Sequence, residues 1–164
     1  DLKKFEKTDI NRITQLVNKT NQFNLTVKRL NLKEITNISK SSNFLTISGN
    51  LKDKFGDSGL VTVFIGKIKK QTVDIAAWLM SCRVFNRNLE FALFDYLINL
   101  CKSKGISTIH GYYIKSEKNL VVKDFYKTLG FKKVKSQKNE DKWEFKITEK
   151  YIKKNKIIKI ANEK

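Results

Sequence analysis

The residues best suited to chemistry lie in a short polar stretch between two apolar segments. Arg83, Asn86, Arg87 and Asn88 follow the apolar run VDIAAWLMSC and precede the apolar pattern LEFALFDYLINLC. A strand that enters a helix through such a turn leaves several backbone N–H groups without partners at the helix N-terminus. Those groups and the helix dipole favour an anion, and arginines beside them can clamp a phosphate. This stretch, which we call the elbow (residues 83–88), is therefore predicted to bind an anionic ligand. The alternative is that both arginines only solvate a basic turn.

Three further side chains could do chemistry, and each also has a purely structural interpretation. Cys82 could be an acyl-accepting thiol, since thiols at a helix N-terminus are activated, but strand alternation favours a core cysteine. Asp74 could act as a general base, although a strand-end charge in solvent is the favoured interpretation. His110 falls in the middle of an apolar run and is predicted to be structural. No metal site is predicted, because the two cysteines lack the spacing of metal ligands.

Hydrophobic periodicity places the elbow inside a mixed α/β domain. Helical spacing predicts a first helix from about residue 9 and a second from Asn31. The predicted inward residues are Ile10, Ile13, Leu16 and Val17 in the first and Leu32, Ile35 and Ile38 in the second. A long helix is predicted over about residues 88–104, and a short one from Asn119 that ends at Gly130 with Phe131 as its hydrophobic contact. Alternation predicts a hairpin of FLTISGNLKDKF with LVTVFIGKIKK, then strands VDIAAWLMSC and ISTIHGYYI, and a closing hairpin of FKKVKS with KWEFKITEK. The segment Phe23–Val27 is ambiguous between loop and strand. The order α-α-β-β-β-α-β-α-β-β implies a mixed sheet with helices on both faces.

Length and composition favour one domain in a reducing compartment. With 164 residues, 40% of them hydrophobic, the chain can bury a proper core. No apolar run approaches a membrane span, and the opening DLKKFEKTD lacks the apolar centre of a signal peptide. Cys82 and Cys101 lie in apolar patterns and favour a cytoplasmic location. Residues 1–150 are predicted to form the domain, and residues 151–164 a basic tail that either docks as a helix or frays. The first residue is Asp rather than Met, which suggests a piece of a longer protein.

The formal net charge of +18 raises the question of nucleic acid as a partner. A basic excess supplies non-specific phosphate binding. Of the 34 basic residues, however, only those at positions 12, 29, 83 and 87 are Arg, the residue used for bidentate and stacked contacts with nucleic acid. Aromatic platforms spaced with Arg are also missing. We therefore expect a solvated lysine surface, neither nucleic acid nor membrane as a partner, and a preference for an anionic cofactor or an acidic protein.

The element order and two motifs resemble the GNAT acyltransferase superfamily. Its first motif, Gln/Arg-x-x-Gly-x-Gly/Ala between the fourth strand and the long helix, is matched by Arg83-x-x-Asn86-x-Asn88, and its second by FYKTLGF at Phe125–Phe131. The resemblance implies a GNAT-like (acyl-CoA N-acyltransferase-like) mixed α/β fold. It also implies an acyltransferase that binds acetyl-CoA, another acyl-CoA or a phosphopantetheine thioester. In that family the elbow N–H groups hold the pyrophosphate, and the fourth and fifth strands separate to admit the pantetheine arm.

The same resemblance implies roles for particular residues. Tyr126 matches the tyrosine that protonates the departing thiolate in many GNAT enzymes, and its alternative is a core aromatic. Asn119 stands where the pantetheine arm is often bonded, and its alternative is a helix N-cap. The cofactor-binding residues implied are Leu79, Ser81, Arg83, Val84, Asn86, Arg87, Asn88, Leu89 and Asn119.

The elbow departs from the GNAT motif because both glycines are replaced, by Asn86 and Asn88. Glycine is favoured there because the backbone approaches the pyrophosphate closely and can adopt positive φ. Asparagine is the ordinary residue that best tolerates left-handed φ, so the turn itself is expected to survive. Its side chain takes up space beside a phosphate, and Asn88 could instead cap the long helix.

Three segments, LKDKFGDSGLVTVFIG, WLMSCRV and VVKDFYKTLGF, resemble the C-terminal domain of FkbH-like proteins more closely, over most of residues 5–150. Those proteins join a haloacid-dehalogenase-like domain to a GNAT-like one and load a glyceryl unit onto an acyl carrier protein for polyketide biosynthesis. The resemblance implies an upstream haloacid-dehalogenase-like domain and an acyl carrier protein as partners. It leaves two functions open, an acyltransferase and a non-catalytic domain that docks the carrier protein or its phosphopantetheine arm. The apolar residues of the long helix cover more than half of its circumference, and the exposed part of this arc is expected to face a missing domain or a twin subunit in a homodimer.

Overall fold

A computed structural model describes residues 1–161 of the chain. The helices are α1 (Ile10–Lys19), α2 (Leu32–Lys40), α3 (Leu89–Ser103) and α4 (Phe125–Thr128). The strands are β1 (Leu2–Lys3), β2 (Phe44–Asp53), β3 (Gly56–Lys69), β4 (Thr72–Met80), β5 (Thr108–Ile114), β6 (Lys132–Gln137) and β7 (Glu140–Lys146). Short 3-10 turns lie at Lys7–Asp9, Cys82–Val84 and Leu120–Val122. The predicted order of elements is confirmed, and the short β1 precedes it.

The strands form one mixed sheet in the order β1-β2-β3-β4-β5-β7-β6. All neighbouring strands are antiparallel except β4 and β5, which are parallel because α3 crosses over between them. β6 is an outer edge whose residues are all exposed. The predicted mixed α/β sheet is therefore confirmed.

The helices cover both faces of the sheet. Alternate side chains of β3 and β4 point to opposite faces of the sheet and belong to two separate hydrophobic clusters. α1 and α2 pack on one of these clusters, and α3 and α4 pack on the other. The inward face predicted for α1 is confirmed, since four apolar residues are buried: Ile10, Ile13, Leu16 and Val17. In α2 the prediction is confirmed for Ile35, which is buried, and for Ile38, which is partly buried against the same cluster. It is wrong for Leu32, which is 49% exposed at the first position of the helix.

The parallel strands β4 and β5 pair over a short distance and then separate. Their register joins Thr72 to Thr108, and ends with Asp74 beside His110. Directly beyond that point β4 carries a bulge at Ala76, which has no counterpart on β3. A bulge increases the local twist and bends the strand. The two strands therefore diverge toward the elbow, leaving a wedge that we call the β4–β5 groove.

The basic tail is docked against α3 without forming a helix or strand over residues 151–161. Asp95 of α3 is only 2% exposed because the tail covers it. Its carboxylate accepts hydrogen bonds from the Tyr151 hydroxyl, the Lys154 N–H (3.0 Å) and the Asn155 N–H (2.8 Å). Ile160 is buried in the same cluster as the inner face of α3. Of the two alternatives for the tail, docking is right and the helix is wrong within the described residues, while residues 162–164 lie outside them.

None of the helices within residues 1–161 has the length and apolar character needed to cross a membrane.

Candidate functional site

The elbow connects β4 to α3 through a turn with two left-handed residues. β4 ends at Met80, so Ser81 and Cys82 belong to the turn. The prediction that both residues are part of the strand is wrong. Asn86 and Asn88 both have φ of 59°. The expectation that asparagine preserves the left-handed turn is therefore confirmed.

The backbone of the elbow presents a row of unpaired donors. Within residues 1–161, no atom accepts a hydrogen bond from the N–H groups of residues 86–90. The first helical bonds are those from Phe91 and Ala92 to the Asn88 carbonyl, at 3.2 and 3.4 Å. Alternating backbone conformations with left-handed residues turn successive N–H groups toward a common concave side, and such concavities bind anions. The elbow thus has the donors and the dipole that an anion requires.

The prediction that Asn88 could cap α3 with its side chain is wrong. Asn88 occupies the N-cap position, but its side chain forms no capping hydrogen bond. Side-chain capping depends on an extended N-cap backbone, whereas Asn88 is left-handed, which turns its side chain away from the first turn. The N–H groups therefore remain open to a ligand.

The two arginines of the elbow have different surroundings. Arg87 forms an ion pair of 2.6 Å with Asp53, at the end of β2, and both line a cavity of about 610 Å³ beside the tail. Arg83 is exposed and makes only long hydrogen bonds of 3.4 Å, to Ser81 and to the Ser58 carbonyl. A ligand can therefore bind the guanidinium of Arg83 at a lower cost in free energy, because no ion pair has to be broken.

Four other predicted cofactor residues lie on the inner side of the elbow. The Leu79 carbonyl accepts a hydrogen bond from Thr62 Oγ1 (3.0 Å), and the Ser81 N–H donates to the Val61 carbonyl (2.8 Å). These main-chain groups thus face β3, away from the β4–β5 groove. Val84 and Leu89 are buried, at 0% and 2% exposure, and support the turn from below. The groups of β4 that face the groove belong to Trp78 and Met80, which the sequence did not single out.

The β4–β5 groove is filled by a piece of the chain itself. The segment Phe23–Thr26, which we call the inserted segment, lies between the two strands, where Asn24 forms an antiparallel bridge with Leu79. The Met80 N–H donates to the Phe23 carbonyl (3.1 Å), and the Leu25 N–H donates to the Trp78 carbonyl (3.2 Å). On the other side the Ile114 N–H donates to the Leu25 carbonyl (2.8 Å). The segment that was ambiguous in the sequence therefore acts as a short strand between β4 and β5.

Asn119 holds the inserted segment in place. Its side chain is fully buried, and its Nδ2 donates to the carbonyls of Asn24 and Ile114, both at 2.9 Å. Its Oδ1 accepts from the Ser116 N–H (2.8 Å) and the Tyr113 hydroxyl (3.3 Å). The alternative of a helix N-cap is wrong, because Asn119 makes no capping bond. Its predicted contact with a pantetheine arm stays a prediction.

Tyr126 has the surroundings of a core aromatic. Its side chain is 0% exposed, and its ring fills the space that a side chain at Gly111 would need, 2.3 Å from an added Cβ. The hydroxyl accepts from the Tyr112 N–H (3.2 Å) and donates to the Tyr112 carbonyl (3.3 Å). Burial raises the pKa of Tyr126 far above its ordinary value. The general-acid role stays a prediction, and the geometry favours the alternative interpretation.

Two of the remaining candidates differ from expectation. Cys82 is exposed, so the prediction of a core cysteine is wrong, because strand alternation no longer applies after Met80. Asp74 is not a free charge in solvent: it bonds Lys69 (2.6 Å) and His110 (2.9 Å). Partial burial raises the pKa of Asp74, but the bonds from Lys69 and His110 outweigh it and leave the pKa below its ordinary value. Asp74 and His110 lie where β4 and β5 are still paired, at the closed end of the groove.

Two cavities flank the inserted segment. One of about 750 Å³ lies beside α1, and its charged lining is mostly basic: Arg12, Lys19, Arg83, Lys118 and Glu117. The other, of about 250 Å³, lies between the elbow and α4 and contains Glu90 and Asp124. Phe23 and Met80 line both cavities. Within residues 1–161, His, Cys, Asp and Glu side chains form no group that could hold a metal ion.

The sheet order, the separated β4 and β5 and the elbow at the start of α3 together define the fold of the GNAT acetyltransferases. Similar solved structures include the ribosomal-protein-S18-alanine N-acetyltransferase from Escherichia coli, with a TM-score of 0.68 and 13% identity over 93% of this chain and 98% of that one. Another is the PaiA N-acetyltransferase from Thermoplasma acidophilum in complex with coenzyme A, with a TM-score of 0.70 and 16% identity over 89% and 98% of the two chains. A third is Ard1 from Thermoplasma volcanium, with a TM-score of 0.69 and 13% identity over 91% and 98%.

These likenesses confirm the predicted fold. No protein-family model matches the sequence, and no curated protein matches it. The resemblance to FkbH-like proteins stays a prediction.

Proposed function

We propose that this chain is a GNAT-like acyltransferase domain that binds an acyl thioester through the elbow. The observation that carries the proposal is the row of unpaired N–H groups at residues 86–90, held open by left-handed Asn86 and Asn88. A diphosphate offers several acceptor oxygens to such a row, and the N-terminus of α3 adds a favourable dipole. The thioester is either acetyl-CoA or another acyl-CoA, or a phosphopantetheine thioester on a carrier protein. The neighbour in complex with coenzyme A supports this choice of ligand.

A second candidate is a non-catalytic domain that docks an acyl carrier protein or its phosphopantetheine arm. The surroundings of Tyr126 and Asn119 favour it, because both polar groups are committed to internal hydrogen bonds. The net charge of +18 would attract an acidic carrier protein. In this proposal the chain belongs to an FkbH-like protein of the cytoplasm, and an upstream haloacid-dehalogenase-like domain performs the glyceryl chemistry.

Calorimetry with acetyl-CoA at moderate salt tests the binding of a coenzyme A thioester at the elbow, which the first candidate requires. We expect measurable binding that weakens by about 10- to 150-fold in Arg83→Ala, since a charge-assisted hydrogen bond contributes about 1.5–3 kcal/mol. Lys104→Ala is the matched control, because it removes one positive charge at the opposite end of α3. Absence of acetyl-CoA binding, or equal affinities for wild type and Arg83→Ala, would contradict binding at the elbow.

A second titration separates the two candidates. Binding of a holo acyl carrier protein without acyl transfer from acetyl-CoA to amine or thiol acceptors would support the docking domain. Transfer of the acetyl group would support the acyltransferase. The variant Tyr126→Phe should leave binding unchanged in either case, because the hydroxyl bonds only the backbone of Tyr112.

A further inference from the structure

The inserted segment uses the groups that an extended amide chain would use in the β4–β5 groove. On the β4 side these are the Met80 N–H and the Trp78 carbonyl, and on the β5 side the Ile114 N–H. The segment satisfies all three with the main chain of Phe23 and Leu25. A pantetheine arm is likewise an extended chain with two amides, each carrying one donor and one acceptor. The segment therefore occupies the groove in the way that such an arm would, by adding a strand to exposed strand edges.

The arm does not fit the groove while the segment is present. Asn24 and Leu25 are both fully buried between the strands, so they leave no space for a second chain. The elbow, in contrast, is open to a phosphate. One half of the ligand site is thus ready, and the other half is covered.

We propose that the inserted segment is a displaceable occupant of the thioester site, and that a pantetheine arm enters by replacing its hydrogen bonds with β4 and β5. This inference rests on the proposed function, because it names how the arm of the same ligand is admitted. It assigns the connection between α1 and α2 as the element that opens the site.

Three local features disfavour the present position of the segment. It makes a single bridge to β4, between Asn24 and Leu79, rather than a continued ladder. The next residue, Val27, has φ of 48°, a left-handed conformation that is strained for a β-branched side chain. The Asn24 Oδ1 is buried and has no hydrogen-bond partner among residues 1–161. Departure of the segment would relieve the strain at Val27 and expose the Asn24 amide to water.

The cavities on either side show what displacement would create. Phe23 is a shared wall of the cavity beside α1 and of the cavity beside α4. Its ring packs on Phe85 of the elbow (5.7 Å between centroids) and on Phe125 of α4 (4.9 Å). Withdrawal of Phe23 would join the two cavities into one passage, from the elbow along β4 to the basic cavity. The passage would lead the arm from its phosphate anchor toward the α1 side.

Asn119 could serve both states of the groove. Its Nδ2 now donates to the Asn24 carbonyl. Without the segment, the same donor is free for an amide carbonyl of the arm. A buried donor that loses its partner costs free energy. Asn119 therefore favours complete replacement of the segment by the arm, with one carbonyl exchanged for another, over partial entry of the arm.

A disulfide across the bridge tests the proposal directly. Asn24 and Leu79 face each other as a pair flanked by the hydrogen bonds of their neighbours, a geometry with Cα atoms about 4.5 Å apart, which a disulfide can span. The variant is Asn24→Cys with Leu79→Cys, made with Cys82→Ser to remove the exposed native thiol. The probes are S-ethyl-coenzyme A, a thioether that cannot reduce the disulfide, and adenosine 3′,5′-bisphosphate, which keeps the 5′-phosphate but lacks the arm and the second phosphate of the diphosphate.

We expect the reduced variant to bind S-ethyl-coenzyme A at least tenfold more tightly than the oxidised variant. Adenosine 3′,5′-bisphosphate should bind both forms equally, because the elbow is unchanged. Equal affinity of the two forms for S-ethyl-coenzyme A would overturn the inference and leave the proposed function standing. Failure of both forms, and of wild type, to bind either probe would overturn the proposed function together with the inference.

Amide hydrogen exchange on the wild-type protein provides a second measurement that needs no variant. Saturation with S-ethyl-coenzyme A should accelerate exchange of the Leu25 amide, which now donates to Trp78. The Ile47 amide in β2 is the control and should not change. Unchanged or slower exchange at Leu25 would overturn the inference. If oxidation of the disulfide variant also weakens binding of the bisphosphate, the exchange measurement is the decisive one.

Discussion

Removal of the contact between Asp95 and the tail is expected to cause a large loss of stability. In Asp95→Ala the Tyr151 hydroxyl and the N–H groups of Lys154 and Asn155 lose their common acceptor, in a site where the carboxylate is only 2% exposed. At about 1–1.5 kcal/mol for each hydrogen bond, the free energy of unfolding should fall by about 3–4 kcal/mol. For a chain of this length that corresponds to a decrease in melting temperature of about 10 °C.

Urea denaturation followed by circular dichroism measures this change. Asp95→Asn should lose about half as much, because an amide carbonyl can still accept the bonds that now go to Oδ1. Glu149→Ala is the matched control, since it removes an exposed carboxylate next to the tail and should change stability by less than about 0.5 kcal/mol. A loss below about 1 kcal/mol in Asp95→Ala would refute the view that this carboxylate fixes the tail.

Two further predictions concern the middle of the sheet. Asp74→Asn should destabilise the protein at neutral pH, because the ionised carboxylate bonds Lys69 and His110. The pKa of Asp74 is lowered by folding, so this stabilisation is complete above the ordinary carboxyl pKa of about 4 and is lost as the pH falls through the folded value. The difference in unfolding free energy between wild type and Asp74→Asn should therefore shrink in acid titrations as the carboxylate becomes protonated in the folded protein, and a difference independent of pH would contradict the ion pair. Gly111→Ala should cost about 2–3 kcal/mol in urea denaturation, because the new Cβ would lie 2.3 Å from the Tyr126 ring, and a loss below about 0.5 kcal/mol would show that the ring moves freely.

Local patterns were sufficient to predict the elements of the fold. The apolar residues of α1 recur at helical spacing, and each of the predicted inward positions is buried. Gly130 has φ of 88° and Phe131 is buried, as the predicted end of the short helix requires. The left-handed φ of Asn86 and Asn88 followed from their residue type. Each of these features depends on neighbours within a few positions along the chain, which the sequence displays directly.

The rest could not be predicted because it depends on pairs distant in sequence. The inserted segment is a strand only because β4 and β5 diverge at Ala76 and leave open edges for Phe23 and Leu25. Asp95 belongs to the polar arc of α3 in the sequence, and only the docked tail explains its burial. Tyr126 matches the GNAT motif by residue type. Its ring lies in the core because Gly111, on β5, has no side chain to occupy the same space.

The outer strand β6 has a consequence for the behaviour of the protein in solution. Its residues are all exposed, and within residues 1–161 no strand pairs with the side of its backbone away from β7. An edge of this kind is a template for pairing with a second molecule. Lys132 and Lys135 place two positive charges along it, whereas Lys133 is paired with Asp141 (2.7 Å), so two such edges repel each other. Lys132 and Lys135 therefore protect the edge against aggregation, and this protection weakens as salt screens the charges.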